Sequence, residues 1–394
     1  MKTKHRTECR IALMISVAVI LTLISTRLRA DSGTCGGTTT TLPFTDVTGN
    51  PFFCAIAEAY FSGLTNGTTA TTYSPSQNVP REQMAAFITR TLDQSLKRGS
   101  RRGALGQWYS PTVSNSLART VVGNEPVAVT SDGADLWVAN RGSGTVSRVR
   151  ASDGKLLETW TGATDANGIV VARGRVYITG PTNPGKLYEI NPTQAAGNVT
   201  LISNSLGGNP LGIAFDGFNI WTANGGSSVS RIDPVGGFVD TFIVGFHTPQ
   251  YILYDGANVW VTDVGLGLLK LNASGQIIQT VAAARSPGNP IFDGTNIWVP
   301  NALDNTVTVV RASTGAVIAT LSGNGLNSPR AVAFDGERIL ATNLQGNSVS
   351  LWKAADLTPL GSVPTGTNSK PLGACSDGLN FWVTLKETGR LARF

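Results

Sequence analysis

The side chains of this 394-residue chain best suited to chemistry are few and lie far apart. Only two histidines occur, His5 and His247. His247 stands beside Thr248 and Pro249, and Asp263 or Glu387 would have to converge on it before a general acid–base pair existed. A lone imidazole does not reproduce a His-rich constellation, and its ordinary reading is a loop residue. No H-E-x-x-H, G-x-S-x-G, Walker loop or zinc-spaced Cys/His cluster is present. Gly265-Leu266-Gly267 is a fragment of a dinucleotide loop with no helix after it, so turn glycine is the better reading. The expectation is therefore no catalytic residue, no metal and no cofactor.

Binding chemistry is better represented. Asn140, Arg141, Asn224, Asp263, Asn301 and Asn343 recur at one place in a repeated pattern, joined by Asn183 and Lys386. A second recurrent place holds Asn124, Asn167, Asn209, His247 and Ser328. Amides and a few charges gathered around an opening suit a sugar or a peptide. Asn after a strand also bonds its own backbone or adopts a left-handed turn, and that structural reading stands beside the functional one.

The elements that carry these residues are set by the spacing P-x5-D-G-x3-W. It is met at Pro126/Asp132/Gly133/Trp137, Pro210/Asp216/Gly217/Trp221, Pro249/Asp255/Gly256/Trp260, Pro287/Asp293/Gly294/Trp298 and Pro371/Asp377/Gly378/Trp382. A sixth copy, Pro329/Asp335/Gly336, puts Leu340 in the aromatic position, and a seventh keeps Gly174 and Tyr177. The aromatic positions follow one another at 38 to 44 residues, the length of a four-stranded propeller blade. Pro opens a strand where a missing N–H is harmless, and Asp-Gly makes a tight hairpin turn. The second strand carries the Trp, whose ring fills the space between blades. A third strand such as Thr145 to Val149 and a fourth such as Leu156 to Trp160 complete the unit. The fold predicted is an all-β, seven-bladed β-propeller over residues 117–394.

Strand counting adds closure. The last repeat supplies Leu372 to Ala374, Phe381 to Thr384 and Leu391 to Phe394, and is then one strand short. The β-prone stretch Leu117 to Val122 is predicted to complete it, because an open ring would leave an unpaired edge at each end.

Upstream, residues 1–30 read as an export signal. Lys2, Lys4, Arg6 and Arg10 precede an apolar run from Ile11 to Ile24, and Ala30 is a cleavage point; the alternative is an uncleaved N-terminal anchor. Setting aside Lys2, Lys4, Arg6, Glu8, Arg10, Arg27 and Arg29 lowers the formal net charge from +6 to +1, so the basic pI belongs to the leader. Between Gln107 and Phe394 there are 19 basic and 19 acidic residues, which argues against an electrostatic nucleic-acid surface. Lys97, Arg98, Arg101 and Arg102 mark a basic Gly/Ser/Arg linker over 97–116, either solvated or in contact with anionic wall or lipid groups. Cys9 leaves with the leader, Cys35 and Cys54 are a candidate disulfide in an oxidising compartment, and Cys375 reads as a small apolar residue of an inner strand.

Residues 31–96 form a separate, helical unit. Phe44, Asp46 and Val47 lead into a helix over Phe52 to Phe61; a polar loop holds Asn66-Gly67 and Tyr73-Ser74-Pro75. A second helix begins near Pro80, with Met84, Phe87, Ile88, Leu92 and Leu96 on one apolar stripe. The order F-x-D-V, A-I-x-x-A, G-L-T-N-G, Y-S-P, V-P-R-E-Q-M-A resembles a surface-layer homology (SLH) module over 42–96. The resemblance implies an exported protein, in cell envelope, cell surface or periplasm, attached to cell-wall or envelope polysaccharide. Arg81 falls on the Arg of the family's T-R-A-E signature and Gln83 on its Glu, while Pro80 replaces its Thr and one module stands where the family has three.

The ring, in turn, resembles the YVTN/NHL-type repeat propellers of bacterial surface and periplasmic proteins, with W-V-A-N and W-V-T-D where that group has Y-V-T-N. Function on such a scaffold lies in loops rather than in the fold. Streptogramin lyases are propellers of similar repeats whose activity rests on His and Glu side chains with magnesium. Three classes follow: an anchored, non-catalytic protein whose propeller presents a face to an unknown protein or glycan; a propeller enzyme related to those lyases; and a purely architectural surface component.

Overall fold

The computed structural model describes residues 30–35, 38–61, 64–98, 119–282 and 285–394. Residues 1–29, on which the expected export signal and Cys9 fall, and residues 99–118, which include Leu117, lie outside them. The chain divides into two compact units, Met1–Gln94 and Ser95–Phe394, described separately below.

The first unit is not purely helical: it carries an antiparallel hairpin of strands β1 (Asp31–Cys35) and β2 (Thr38–Leu42). Threonine-rich and short, it carries none of the apolar alternation by which strands are recognised. Helix α1 (Phe53–Phe61) follows, and Leu42, Phe44, Val47, Phe53, Ile56 and Ala57 make the core. Phe44 sits at its centre, edge-on to Tyr60 at 5.3 Å between centroids and tilted against Tyr73 at 5.4 Å. Two carboxylates hold the loops. Asp31 accepts the backbone N–H groups of Val47 and Thr48 at 2.7 and 2.8 Å, and Asp46 those of Tyr73 and Ser74. Cys35 and Cys54 are joined as expected, tying the end of β1 to the first turn of α1.

Helix α2 (Arg81–Arg98) starts where Pro80 places it and runs past residue 96, so Lys97 and Arg98 of the basic cluster are helical rather than linker. Its apolar stripe is not consumed by the core of the module: Met84 is 47% and Ile88 62% exposed.

The second unit is a ring of seven four-stranded antiparallel sheets. Blade 1 comprises Pro126–Ser131, Asp135–Asn140, Thr145–Arg150 and Leu156–Trp160, in that order from the axis outward, and the others repeat it. Closure occurs as predicted: Arg119–Val121 pairs antiparallel with Arg390–Arg393 and becomes the fourth strand of blade 7. Blade 5 departs from the others because Pro290 has no N–H to donate, and its first strand shrinks to Ile291–Phe292. Asn289 instead pairs in parallel with Ala331 of the next blade, donating to Arg330 O at 2.8 Å and accepting from Val332 N at 3.1 Å.

The repeat signature has a hydrogen-bonded meaning beyond turn and filler. In each Asp-Gly hairpin one carboxylate oxygen accepts two turn amides; in blade 3 Asp216 Oδ1 receives Phe218 N at 2.8 Å and Asn219 N at 2.6 Å. The other oxygen receives the indole N–H five residues on. Those bonds run Trp137 to Asp132 (2.8 Å), Trp221 to Asp216 (2.6 Å), Trp260 to Asp255 (2.7 Å), Trp298 to Asp293 (2.7 Å) and Trp382 to Asp377 (2.8 Å). The tryptophans can thus be completely buried without an orphaned donor. Their cross-strand neighbours Arg148, Arg231, Lys270 and Arg393 lie over the rings, 5.0 to 5.8 Å from the centroids. In blade 2, where the turn is Arg173-Gly174, the aromatic is Tyr177 and its hydroxyl turns to Glu189 on the facing strand.

Candidate functional site

Loops that follow second strands and loops that precede first strands share one face of the ring. They are laced together by a recurring backbone bond. The residue after the second strand donates its N–H to the residue just before the strand-opening proline: Arg141 to Glu125 O, Gly225 to Asn209 O, Val264 to Thr248 O, Ala302 to Ser286 O, Leu344 to Ser328 O and Lys386 to Lys370 O, at 2.8 to 3.2 Å. Five of those acceptors, Glu125, Asn209, Ser286, Ser328 and Lys370, have φ between 48° and 58°. Holding non-glycine residues in the left-handed region costs energy that the lacing must offset.

The amides predicted for this face are spent inside the blades. Asn140 donates to Thr145 Oγ1 at 3.1 Å and Ser147 Oγ at 3.0 Å, and Asn301 to Thr306 and Thr308 at 3.1 and 2.9 Å. Asn224 does the same with Ser228 and Ser230, and Asn343 with Ser348 and Ser350. All four are fully buried. Asp263, equally buried, accepts three backbone N–H groups: those of His247 (2.8 Å), Thr248 (3.0 Å) and Gly265 (2.9 Å). The four asparagines fasten the end of each second strand to the third, and Asp263 ties together the two loops of blade 4. What the face presents is the residue beside them, and Arg141 is one of those.

Arg141 belongs to a line of charge across blades 1 and 7. Its Nε is 3.7 Å from Glu125, whose other oxygen is 3.5 Å from Lys386 Nζ; Lys386 also reaches Glu387 at 3.3 Å. Lys370 beside them bonds Gln345 Oε1 at 2.9 Å. Across the ring the equivalent positions are apolar, with Val264 and Leu266 each 40% and Leu303 65% exposed. Asn183 is exposed at the blade 2 loop, and Ser328 N is held by Asn305 Oδ1 at 2.7 Å. His247 is exposed, with its Nδ1 3.2 Å from Thr248 Oγ1, and is not paired with Asp263 or Glu387 through its ring. Among the described residues no three His, Cys, Asp or Glu side chains are grouped closely enough to hold a metal ion.

Three further residues depart from the repeat on first strands, the innermost strands of their blades: Gln250, Tyr251 and Arg330, in blades 4 and 6. The available signal was departure from the repeat. Two residues after the strand-opening proline stand Ala128, Gly212, Asn289, Ala331 and Gly373 in the other copies, and Tyr251 here. Burial pushes the Tyr251 hydroxyl up, while the charges of Arg330 and Arg141 pull the other way. Arg330 Nε is buried with no hydrogen-bond partner.

In the first unit Arg81 and Gln83 both lie exposed on the opening turn of α2. Neither has a hydrogen bond or ion pair among the described residues. Cys375, by contrast, is partly buried against Trp382 and Leu391, and burial, then Asp377, pushes its thiol well above the ordinary value.

Residues 43–85 match the S-layer homology domain. A match of this kind indicates a cell-surface or envelope-associated protein. No curated protein sequence matches the chain. The ring is similar to several solved propellers. One is virginiamycin B lyase from Staphylococcus aureus, with TM-score 0.60, 17% identity, and coverage of 71% of this chain and 98% of that one. A second is Kuenenia stuttgartiensis hydrazine synthase, with TM-score 0.59, 17% identity, and coverage of 72% and 99%. A third is the WD40 β-propeller domain of Doa1, with TM-score 0.57, 13% identity, and coverage of 70% and 94%. At these identities the shared property is the fold.

Proposed function

We propose that this chain is an exported envelope protein that binds wall polysaccharide through residues 42–96 and presents its propeller as a non-catalytic binding face. The observation that carries the reading is the exposed, unpaired Arg81 and Gln83 at the opening turn of α2, inside the segment that matches the S-layer homology domain. A guanidinium at a helix start is a favourable place for the acidic groups of a glycan, because the helix end and the side chain both present donors. The buried asparagines and Asp263 act here as scaffold, and Arg141, Glu125 and Lys386 as the presented groups.

The lyase alternative draws on the shared ring. It requires a base and an acid at the mouth, where His247 is engaged with Thr248 and Glu387 with Lys386. The binding reading uses those groups as they stand. Its test is cosedimentation of residues 31–394 with isolated sacculi: Arg81→Ala lowers the bound fraction severalfold at equal folded content. Equal binding by wild type and Arg81→Ala removes Arg81 from the anchoring site.

A further inference from the structure

We propose that two neighbouring turns of blade 3 form a platform for an uncharged sugar chain, which stacks on Phe218 and Phe238 and donates a hydroxyl to the Phe218 carbonyl. The platform lies at the end of the ring opposite the loop face. It therefore goes beyond the proposed function and neither rests on it nor falls with it.

Each blade is an antiparallel meander, so its first–second and third–fourth turns share that far end. In blade 3, Ile220 pairs with Ile232, and the next positions outward put Asn219 beside Asp233 and Phe218 beside Pro234. Asp233 N in turn donates to Phe238 O at 3.0 Å. Neighbouring strands thus carry the two phenylalanines with their backbones on the order of 10 Å apart. Phe218 is 73%, Val235 77% and Phe238 68% exposed. Hydrogen bonds identify their equivalents in other blades. The tip amide that the turn carboxylate accepts belongs to Ala134, Ala257, Thr295, Glu337 and Leu379 where blade 3 has Phe218. The carbonyl that closes the other turn belongs to Lys155, Gln276, Ala316 and Thr358 where blade 3 has Phe238. None of these is aromatic, so the turns themselves require no ring, and the departures concentrate exposed apolar surface at one spot.

Polar groups at the same spot select the ligand. In blades 1, 5 and 6 the tip carbonyl accepts an N–H from the neighbouring turn: Ala134 O from Ala151, Thr295 O from Ala312 and Glu337 O from Ala354, at 3.0 to 3.2 Å. Blade 3 places Pro234, which has no N–H, where that donor stands. Among the described residues no hydrogen bond reaches Phe218 O or Asn219 Oδ1. Donors of the two turns point inward instead: Phe218 N and Asn219 N to Asp216 Oδ1 at 2.8 and 2.6 Å, Val235 N to Asp233 Oδ1 and Gly237 N to Asp233 O, each at 2.9 Å. The platform thus offers ring faces and acceptors. A pyranose matches both, because its C–H face is drawn to the negative face of an aromatic ring and its hydroxyls donate. Phosphate and carboxylate groups would bring acceptors to acceptors, which sets lipid headgroups and acidic glycans aside. An apolar protein surface would leave both acceptors unpaired. Two rings and two hydroxyl bonds on an open surface give millimolar affinity, enough to sample a glycan and too little to fasten the ring to one.

The test titrates residues 31–394 with chitotetraose, cellotetraose, maltotetraose and D-glucuronate by isothermal calorimetry. The proposal expects saturable binding of at least one neutral tetrasaccharide, weakened about fivefold or more by Phe218→Ala and by Phe238→Thr, residues that other blades carry at those positions. Pro234→Ala supplies the missing N–H to the Phe218 carbonyl and should weaken binding as well, a response that a purely apolar patch would not give. Leu379→Ala, at the same tip of blade 7, should leave binding unchanged. Melting temperatures identify any variant that fails to fold, and the remaining variants then decide. No binding of any of the three tetrasaccharides overturns the platform. So does binding that both phenylalanine substitutions leave unchanged, or glucuronate bound as tightly as the neutral sugars. Unchanged binding in Pro234→Ala overturns the bond to the carbonyl. A chain that binds none of the sugars but self-associates, and ceases to in Phe218→Ala, gives the patch to a second copy and overturns the proposal. None of these outcomes bears on wall attachment through Arg81.

Discussion

Arg338 and Asp335 form a buried ion pair, with Nε at 2.8 Å and Nη2 at 2.7 Å from the same carboxylate oxygen, in the one blade where Leu340 replaces the repeated tryptophan. In five other blades that oxygen accepts an indole N–H. The hairpin thus requires a donor at this place, and either an indole or a guanidinium supplies it. Asp255→Ala removes the acceptor of Ala257 N, Asn258 N and Trp260 Nε1 together. The expected cost is about 3 kcal/mol, since the indole is left buried and unpaired. Chemical denaturation measures it. Asp255→Asn, which keeps one carbonyl oxygen, should lose less.

Acid should act through the same carboxylates. Burial opposes ionisation of Asp132 and Asp216, but the indole bonds and turn amides outweigh it and hold both below 3.8. A lowered folded-state value means that the unfolded chain takes up protons first as the pH falls. Their contribution is complete above about pH 4 and is lost below it. Tyr177 titrates in the opposite sense. Burial and then Glu189 push its hydroxyl from 10.0 up to about 12, so its contribution is full below pH 10 and is lost as the pH climbs toward 12. Melting temperature against pH should therefore flatten below pH 4 in Asp216→Asn and above pH 10 in Tyr177→Phe.

Closure makes the ring one cooperative body. Removing residues 117–122 strips the fourth strand from blade 7 and exposes the edge of Arg390–Arg393. The whole propeller should then melt at lower temperature in a single shifted transition, read by calorimetry. An unchanged melting temperature would show that the ring does not depend on this strand.

Burial separates scaffold from presented residues on the loop face. Asn301→Ala leaves Thr306 and Thr308 without their amide and should cost about 1–2 kcal/mol, whereas the half-exposed Arg141→Ala should stay within about 0.5 kcal/mol. Denaturant midpoints with unchanged slopes give both numbers. Ligand binding at the face should respond in the reverse order.

How much of this could be read beforehand depends on the range of the interaction. The blades, the aromatic filler and the missing strand were legible because each is a local pattern repeated at fixed period, and the Cys35–Cys54 pair because only two cysteines remained outside the leader and the ring. The Asp-to-indole bond was present in the spacing as five residues but was read only as turn chemistry. The place of the asparagines is legible, and so is a structural role beside a binding one, but not the form of that role, because their partners, hydroxyls such as Ser147 and Thr308, lie on the next strand and look like ordinary strand residues. The hairpin β1–β2 was missed because threonine runs carry no face.

Under the proposed function, wall attachment belongs to the N-terminal unit and ligand presentation to the ring. Cosedimentation of residues 31–394 and of residues 107–394 with isolated sacculi tests it directly. The account predicts that the longer chain pellets with the wall in a saturable manner and that the propeller alone stays in the supernatant. Pelleting of residues 107–394 to the same extent as the longer chain would contradict it.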